Sequence, residues 1–184
     1  KDVTIPSAPS NQPHVTLAPG SPAVCNNITV ESGATLTINA GKALTASGNL
    51  ANAGTVDIKA TAGGIGSLIT NGTVSGAGSF KMEQYLTGSG GATPDGLFYY
   101  VSSPIPNATA ANYNVASGNK LWTADETTQS YTQITNGPTV LNAAEGYVAR
   151  MGATGTITLT GTSFTTRPSS TFDAADDLLL LADR

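Results

Sequence analysis

The sequence predicts an all-β protein: a short β-helix (solenoid) followed by a small antiparallel β-sandwich-like domain. Three observations predict it. An apolar side chain recurs every six residues from Ile38 to Leu86 (Ile38, Leu44, Leu50, Val56, Ala62, Leu68, Val74, Phe80, Leu86), with glycine two places earlier at Gly48, Gly54, Gly66, Gly72 and Gly78. Six matches neither the 3.6 residues of a helix nor the 2 of a lone strand, so it belongs to stacked strand-and-corner units. Only 11% of the residues are charged and 6% aromatic, and the wealth of Thr, Val, Ile and Gly favours strands over helices. The third observation is a change of character near residue 90, after which most of the aromatic residues fall.

Residues 1–27 are an entry segment. Five prolines between Ile5 and Pro22 predict an extended run with little regular pairing. Cys25, the only cysteine, excludes an intramolecular disulfide; a buried thiol at the start of the solenoid is expected rather than a nucleophile.

Residues 28–86 are the solenoid. A strand of three or four residues cannot bury its apolar face alone, but wound into a coil its inward residue meets the equivalents above and below. Glycine is expected at corners because positive φ costs it nothing steric. "TVDIKA" (55–60) and "SFKMEQ" (79–84) lie 24 residues apart, which sets Asp57 beside Lys81 and Lys59 beside Glu83. Both pairs have opposite sign, and each such pair contributes about 0.2–1 kcal/mol. "ATLTIN" (34–39) precedes them on the same face, 20 residues earlier. Three coils of roughly three sides follow, with a corner loop at 59–66.

"TGSGGATPDG" (87–96) is a Gly-rich linker. Residues 97–165 carry Phe98, Tyr99, Tyr100, Tyr113, Trp122, Tyr131, Tyr147 and Phe164. "LFYYVSS" reads as a buried strand, "KLWTADETTQSYTQIT" as a hairpin, and "GYVARM" and "GTITLTGT" as two more strands of an antiparallel domain docked on the open end of the solenoid. Residues 166–184 form a tail, whose four leucines after Asp173, a candidate N-cap, predict a short helix.

The net charge of −4 and the lack of clustered Lys and Arg exclude a nucleic-acid footprint. No apolar run approaches the ~20 residues that cross a bilayer, so no membrane insertion is expected. The chain starts at Lys1 without a methionine or signal peptide, which predicts a processed or excised segment of something longer.

The search for chemistry returns little. The only histidine, His14, lies in the proline-rich entry, so neither a Ser-His-Asp triad nor an acyltransferase site can be assembled around it. One Cys and one His are too few for zinc. Glu31, Asp57 and Glu83 are the solenoid's acids with Asp2 before them, and two of them are already cross-strand partners. Asp125 with Glu126, and Asp173 with Asp176 and Asp177, lack the alternating ligand spacing of a calcium loop. No catalytic residue, metal site or cofactor is therefore assigned. Trp122, Tyr131 and Tyr147 are the candidate binding residues, because an aromatic face can stack on the C–H face of a pyranose; the competing reading places them in the core of the second domain.

Residues 24–165 also resemble a known module. "NNITVESGATLTINAGKALTASGNLANAGTVDI", "MEQYL" (82–86), "LFYYVSSP" (97–104), "LWTADE" (121–126) and "GYVAR" (146–150) are similar to the successive strands of a short β-solenoid plus β-domain module of large type IX-secreted surface proteins of Bacteroidota. The resemblance implies secretion, display at the cell surface, and a structural or spacer role with a contribution to adhesion. The expected partners are other domains of a larger parent protein and a surface glycan. Two alternatives stay open: a carbohydrate-binding module, and an accessory part of a polysaccharide-active enzyme.

Overall fold

The computed structural model describes residues 1–88, 97–115, 118–125 and 127–164. Most of the predicted linker, the predicted C-terminal helix, and Glu126, Asp173, Asp176 and Asp177 lie outside them.

A three-sided parallel solenoid of about three turns occupies the N-terminal half. Its first coil holds β1 (Val3–Ile5), β2 (His14–Val15) and β3 (Ala23–Cys25). The second holds β4 (Ile28–Val30), β5 (Thr35–Ile38) and β6 (Ala43–Ala46). The third holds β7 (Leu50–Asn52), β8 (Thr55–Ile58), a small hairpin of β9 (Ala60–Thr61) and β10 (Gly64–Ile65), and β11 (Ser67–Thr70). β12 (Val74–Ser75) and β13 (Ser79–Leu86) open a fourth. The three faces are the sheets β1-β4-β7-β12, β2-β5-β8-β13 and β3-β6-β11.

The 24-residue coil holds in the later turns. Leu44 pairs with Leu68, Leu50 with Val74 and Thr55 with Ser79. The preceding coil is shorter, with Thr35 opposite Thr55, as the spacing of "ATLTIN" predicts. Asp57 faces Lys81 in register. Among the described residues, however, both ion pairs are made by Lys59, whose Nζ lies 2.9 Å from Asp57 and 2.9 Å from Glu83. Lys81 is left exposed.

The entry segment differs from its expectation. Residues 1–27 form the first coil, and the solenoid begins at Val3 rather than residue 28. The prolines do not prevent this, because Pro6, Pro9, Pro13, Pro19 and Pro22 all fall outside β1–β3, where no ladder N–H is needed. Pro13 even contributes its carbonyl, which accepts the Thr37 N–H at 3.1 Å. Cys25 is buried in this coil, as predicted.

The role expected of the hexad glycines also changes. None of Gly48, Gly54, Gly66, Gly72 and Gly78 has a positive φ. They are glycine because a Cβ would collide with the coil beneath: at Gly78 it would stand 2.6 Å from both Asn52 Oδ1 and the Gly54 carbonyl. The corners are instead held by a ladder of side-chain oxygens. Asp2 Oδ1 accepts the Asn27 N–H, Asn27 Oδ1 accepts that of Asn49, and Asn49 Oδ1 accepts that of Thr73, at 2.8–3.1 Å. Ala62, one step of the apolar series, sits exposed in the β9–β10 turn, because the hairpin takes it out of the coil.

After the solenoid come β14 (Tyr99–Ser102), a 3-10 helix at Ala110–Tyr113, β15 (Lys120–Asp125), β16 (Ser130–Ile134), β17 (Gly146–Arg150) and β18 (Gly155–Gly161). Four of these strands form an antiparallel sheet in the order β14-β17-β15-β16. The fifth predicted strand is not in it. β18 returns to the solenoid and pairs antiparallel with β13, from Phe80 opposite Gly161 to Leu86 opposite Gly155. Buried residues of both regions consequently belong to one core, from Ile5 through Phe80 to Leu121 and Leu159.

Candidate functional site

The four-stranded sheet has one covered and one open face, fixed by the period of 2 along each strand. Val101, Leu121, Ile134, Tyr147 and Ala149 point to the covered side and are buried. Neighbours in register share a face, so the opposite side carries the row Tyr100–Val148–Trp122–Gln133. Phe98 and Ser102 extend it along β14, Arg150 and Lys120 form the next registered pair, and Tyr131 stands opposite Ala124.

Phe98 is 58% exposed, Tyr100 74% and Tyr131 59%. Trp122 is half-buried, and its ring centroid lies 5.8 Å from that of Phe98. Phe98 immediately precedes β14 and Trp122 lies on β15, the strands on either side of β17, so their rings meet above it. That explains why Val148 and Arg150, on the same face of β17, are only 6% and 8% exposed. A clustered, exposed apolar patch is the kind of surface through which proteins make contacts.

The three sequence candidates separate. Trp122 and Tyr131 reach the open face, but Tyr147 is 3% exposed on the other side of the sheet. Its hydroxyl accepts the Asn142 N–H at 2.8 Å and donates to Glu145 Oε2 at 3.1 Å. Burial, above all, raises the pKa of this phenol. Phe98 and Tyr100 are not among those candidates, because "LFYYVSS" reads as a buried strand. The alternation within it was the available signal: Phe98 and Tyr100 share one side, Tyr99 and Val101 the other.

Other polar groups have structural roles. Tyr113, fully buried, donates to Gln84 Oε1 at 2.7 Å, and Gln84 Nε2 donates to the Ser102 carbonyl at 2.8 Å. This chain ties the last solenoid strand to the 3-10 helix and to β14, and burial raises the Tyr113 pKa strongly. Asp125 Oδ1 accepts the N–H groups of Thr127 and Thr128 at 2.9 and 3.1 Å, an Asx turn that closes the β15–β16 hairpin. Bonds from Thr128 hold that carboxyl below its ordinary range. His14 is exposed on β2, with Nδ1 3.4 Å from Asn39 Oδ1. Among the described residues no three His, Cys, Asp or Glu side chains gather as metal ligands. An open depression of about 610 Å³ beside β18 is lined by Asn112, Asn114, Asn119, Met151, Thr154 and Thr156, with no titratable group. Asn112 and Asn119 are engaged there, donating to the carbonyls of Thr158 and Tyr113 at 2.9 Å.

A parallel β-solenoid whose last strand is capped by a returning strand, with an aromatic-faced antiparallel sheet beside it, is the class these features define. The chain belongs to the family described as domain of unknown function DUF8693, whose model matches residues 1–173. No curated protein and no solved structure matches it.

Proposed function

We propose that this chain is a non-enzymatic structural module of a secreted cell-surface protein, in which the solenoid is a spacer and the four-stranded sheet an adhesive end. The observation that carries the reading is where the exposed aromatics lie. Among the described residues Phe98, Tyr100 and Tyr131 are the exposed rings, and all three are on the open face of that sheet. The solenoid displays small polar and aliphatic side chains on backbone ladders that run coil to coil, an arrangement suited to holding distance and direction. Its acids support the same view: Asp57 and Glu83 clamp Lys59, and Asp2 caps the Asn ladder. Secretion by the type IX route, and partners among the other domains of a longer parent, follow from the module resemblance alone.

Beads coated with the protein test this reading on glycan-coated and cell surfaces. Retention that drops at least tenfold for the double variant Tyr100→Ala/Trp122→Ala, with an unchanged melting temperature, is the expected result. Release of new reducing ends from a panel of polysaccharides would instead favour the enzyme-accessory alternative.

A further inference from the structure

The open face of the sheet has a charge as well as a shape. Its described residues include two cations, Lys120 and Arg150, beside the rings of Phe98, Tyr100, Trp122 and Tyr131, and no acid. In a chain of net charge −4 this is a local reversal of sign. Lys120 and Arg150 are directly registered neighbours on adjacent strands, where like charges oppose each other. Neither has an acidic partner among the described residues, whose ion pairs are both made by Lys59. Arg150 is also more than nine-tenths buried beneath the Phe98–Trp122 contact, and its Nε has no hydrogen-bond partner. A buried N–H without an acceptor is unfavourable, and two adjacent unneutralised cations are so as well. An anionic group seated beside Lys120 at the rim of the rings would relieve both.

We infer that this face binds an acidic polysaccharide, with the rings of Tyr100, Trp122 and Phe98 stacking on pyranose C–H faces and the Arg150–Lys120 pair receiving a uronate carboxylate. The inference rests on the adhesive reading of the sheet and adds the chemical class of the ligand. A guanidinium presents a planar fork of donors that matches a carboxylate, and its strength rises where rings exclude water. The Phe98 and Trp122 rings, tilted 53° to each other beside the exposed Tyr100, offer apolar faces to successive sugars of a chain, whereas a purely acidic peptide would engage the cations and leave the rings idle.

Calorimetric titration of the full chain tests the inference with oligogalacturonate, a neutral galacto-oligosaccharide of equal length, and polyglutamate. Oligogalacturonate is expected to bind, at least tenfold tighter than the neutral sugar, and to weaken as salt is raised. Trp122→Ala and Tyr100→Ala should each weaken it at least tenfold. Lys120→Gln should weaken it and flatten the salt dependence, and Arg150→Lys should weaken it although the charge is kept. If an Arg150 variant fails to fold, the variants of the exposed Tyr100 and the half-buried Lys120 decide alone. Equal binding of the neutral sugar overturns the acidic specificity and leaves the adhesive reading standing. Equal binding of polyglutamate, unaffected by Trp122→Ala, overturns the glycan in favour of an acidic polypeptide. No binding of any probe, while the coated beads still adhere through Tyr100 and Trp122, overturns this inference alone; loss of both removes the adhesive reading too.

Discussion

Phe80 is the residue on which the two halves of the core meet. It pairs with Val56 on the solenoid side and with Gly161 on the returning strand, and its ring lies 5.6 Å from that of Phe164. It is fully buried. Phe80→Ala should therefore lower unfolding free energy by about 3–5 kcal/mol, the range for a large aromatic removed from a core; a loss under about 1 kcal/mol in denaturant titration would contradict its place at the seam. Lys59 gives a test with a sign. Bonds to Glu83 first, and to Asp57 next, raise its pKa above the ordinary lysine value. A folded pKa above the unfolded one stabilises fully below the unfolded value, about 10.4, and the contribution is lost as pH rises through the folded pKa. The stability difference between the wild type and Lys59→Gln should thus be constant from pH 7 to 9 and shrink towards pH 12. A difference that stays level to pH 12 would mean that the clamp is not ionic. Half-exposure of the lysine keeps the effect small.

The coil is the element at which the sequence was most legible. The hexad marks it because each coil buries the same positions, so Leu50, Val56 and Phe80 recur in the core as they recur in the chain. Two features escaped it. The first coil has no hexad, since its prolines and long corners spread three short strands over Val3–Cys25. The Asn ladder is also silent to an apolar period, because Asp2, Asn27 and Asn49 act through side-chain oxygens at a corner. The glycines were found, but for close approach rather than for turning. Gly78→Ala tests that distinction. Its methyl would meet Asn52 Oδ1, which accepts the Gly54 N–H, while Asn52 Nδ2 donates to the Ser79 carbonyl. We expect a cost of about 1–3 kcal/mol, as for overpacking. Gly20→Ala, with no heavy atom within 4 Å of its Cβ and no positive φ, should be neutral or stabilising by up to about 1 kcal/mol. Equal effects of the two substitutions in thermal melts would mean that close packing is not what selects glycine.

At the scale of the molecule, the decisive contact is one that links distant stretches of chain. β18 alternates exposed Thr156, Thr158 and Thr160 with buried Ile157 and Leu159, a pattern that identifies a strand facing a core but not which strand it joins. Only the three-dimensional register shows that it covers β13. The pairing matters because a parallel solenoid ends in an unpaired strand. An open β13 would offer one edge of an eight-residue strand, the backbone donors and acceptors of alternate residues, flanked by Phe80, Met82 and Leu86, to any other strand. β18 closes that edge over seven registered pairs, and Asn112 fastens it from the 3-10 helix. The aromatic sheet is carried by the same stretch of chain, so the segment that presents the open face also seals the rod. A chain shortened to residues 1–88 should keep parallel-strand circular dichroism yet leave the monomer state, eluting as dimers or larger species in size-exclusion chromatography with light scattering. Restoring 97–164 as a separate polypeptide should return it to a one-to-one complex. A shortened chain that stays monomeric and folded at tens of micromolar would show that the solenoid protects its own edge, and the returning strand would then serve only to hold the aromatic sheet in place.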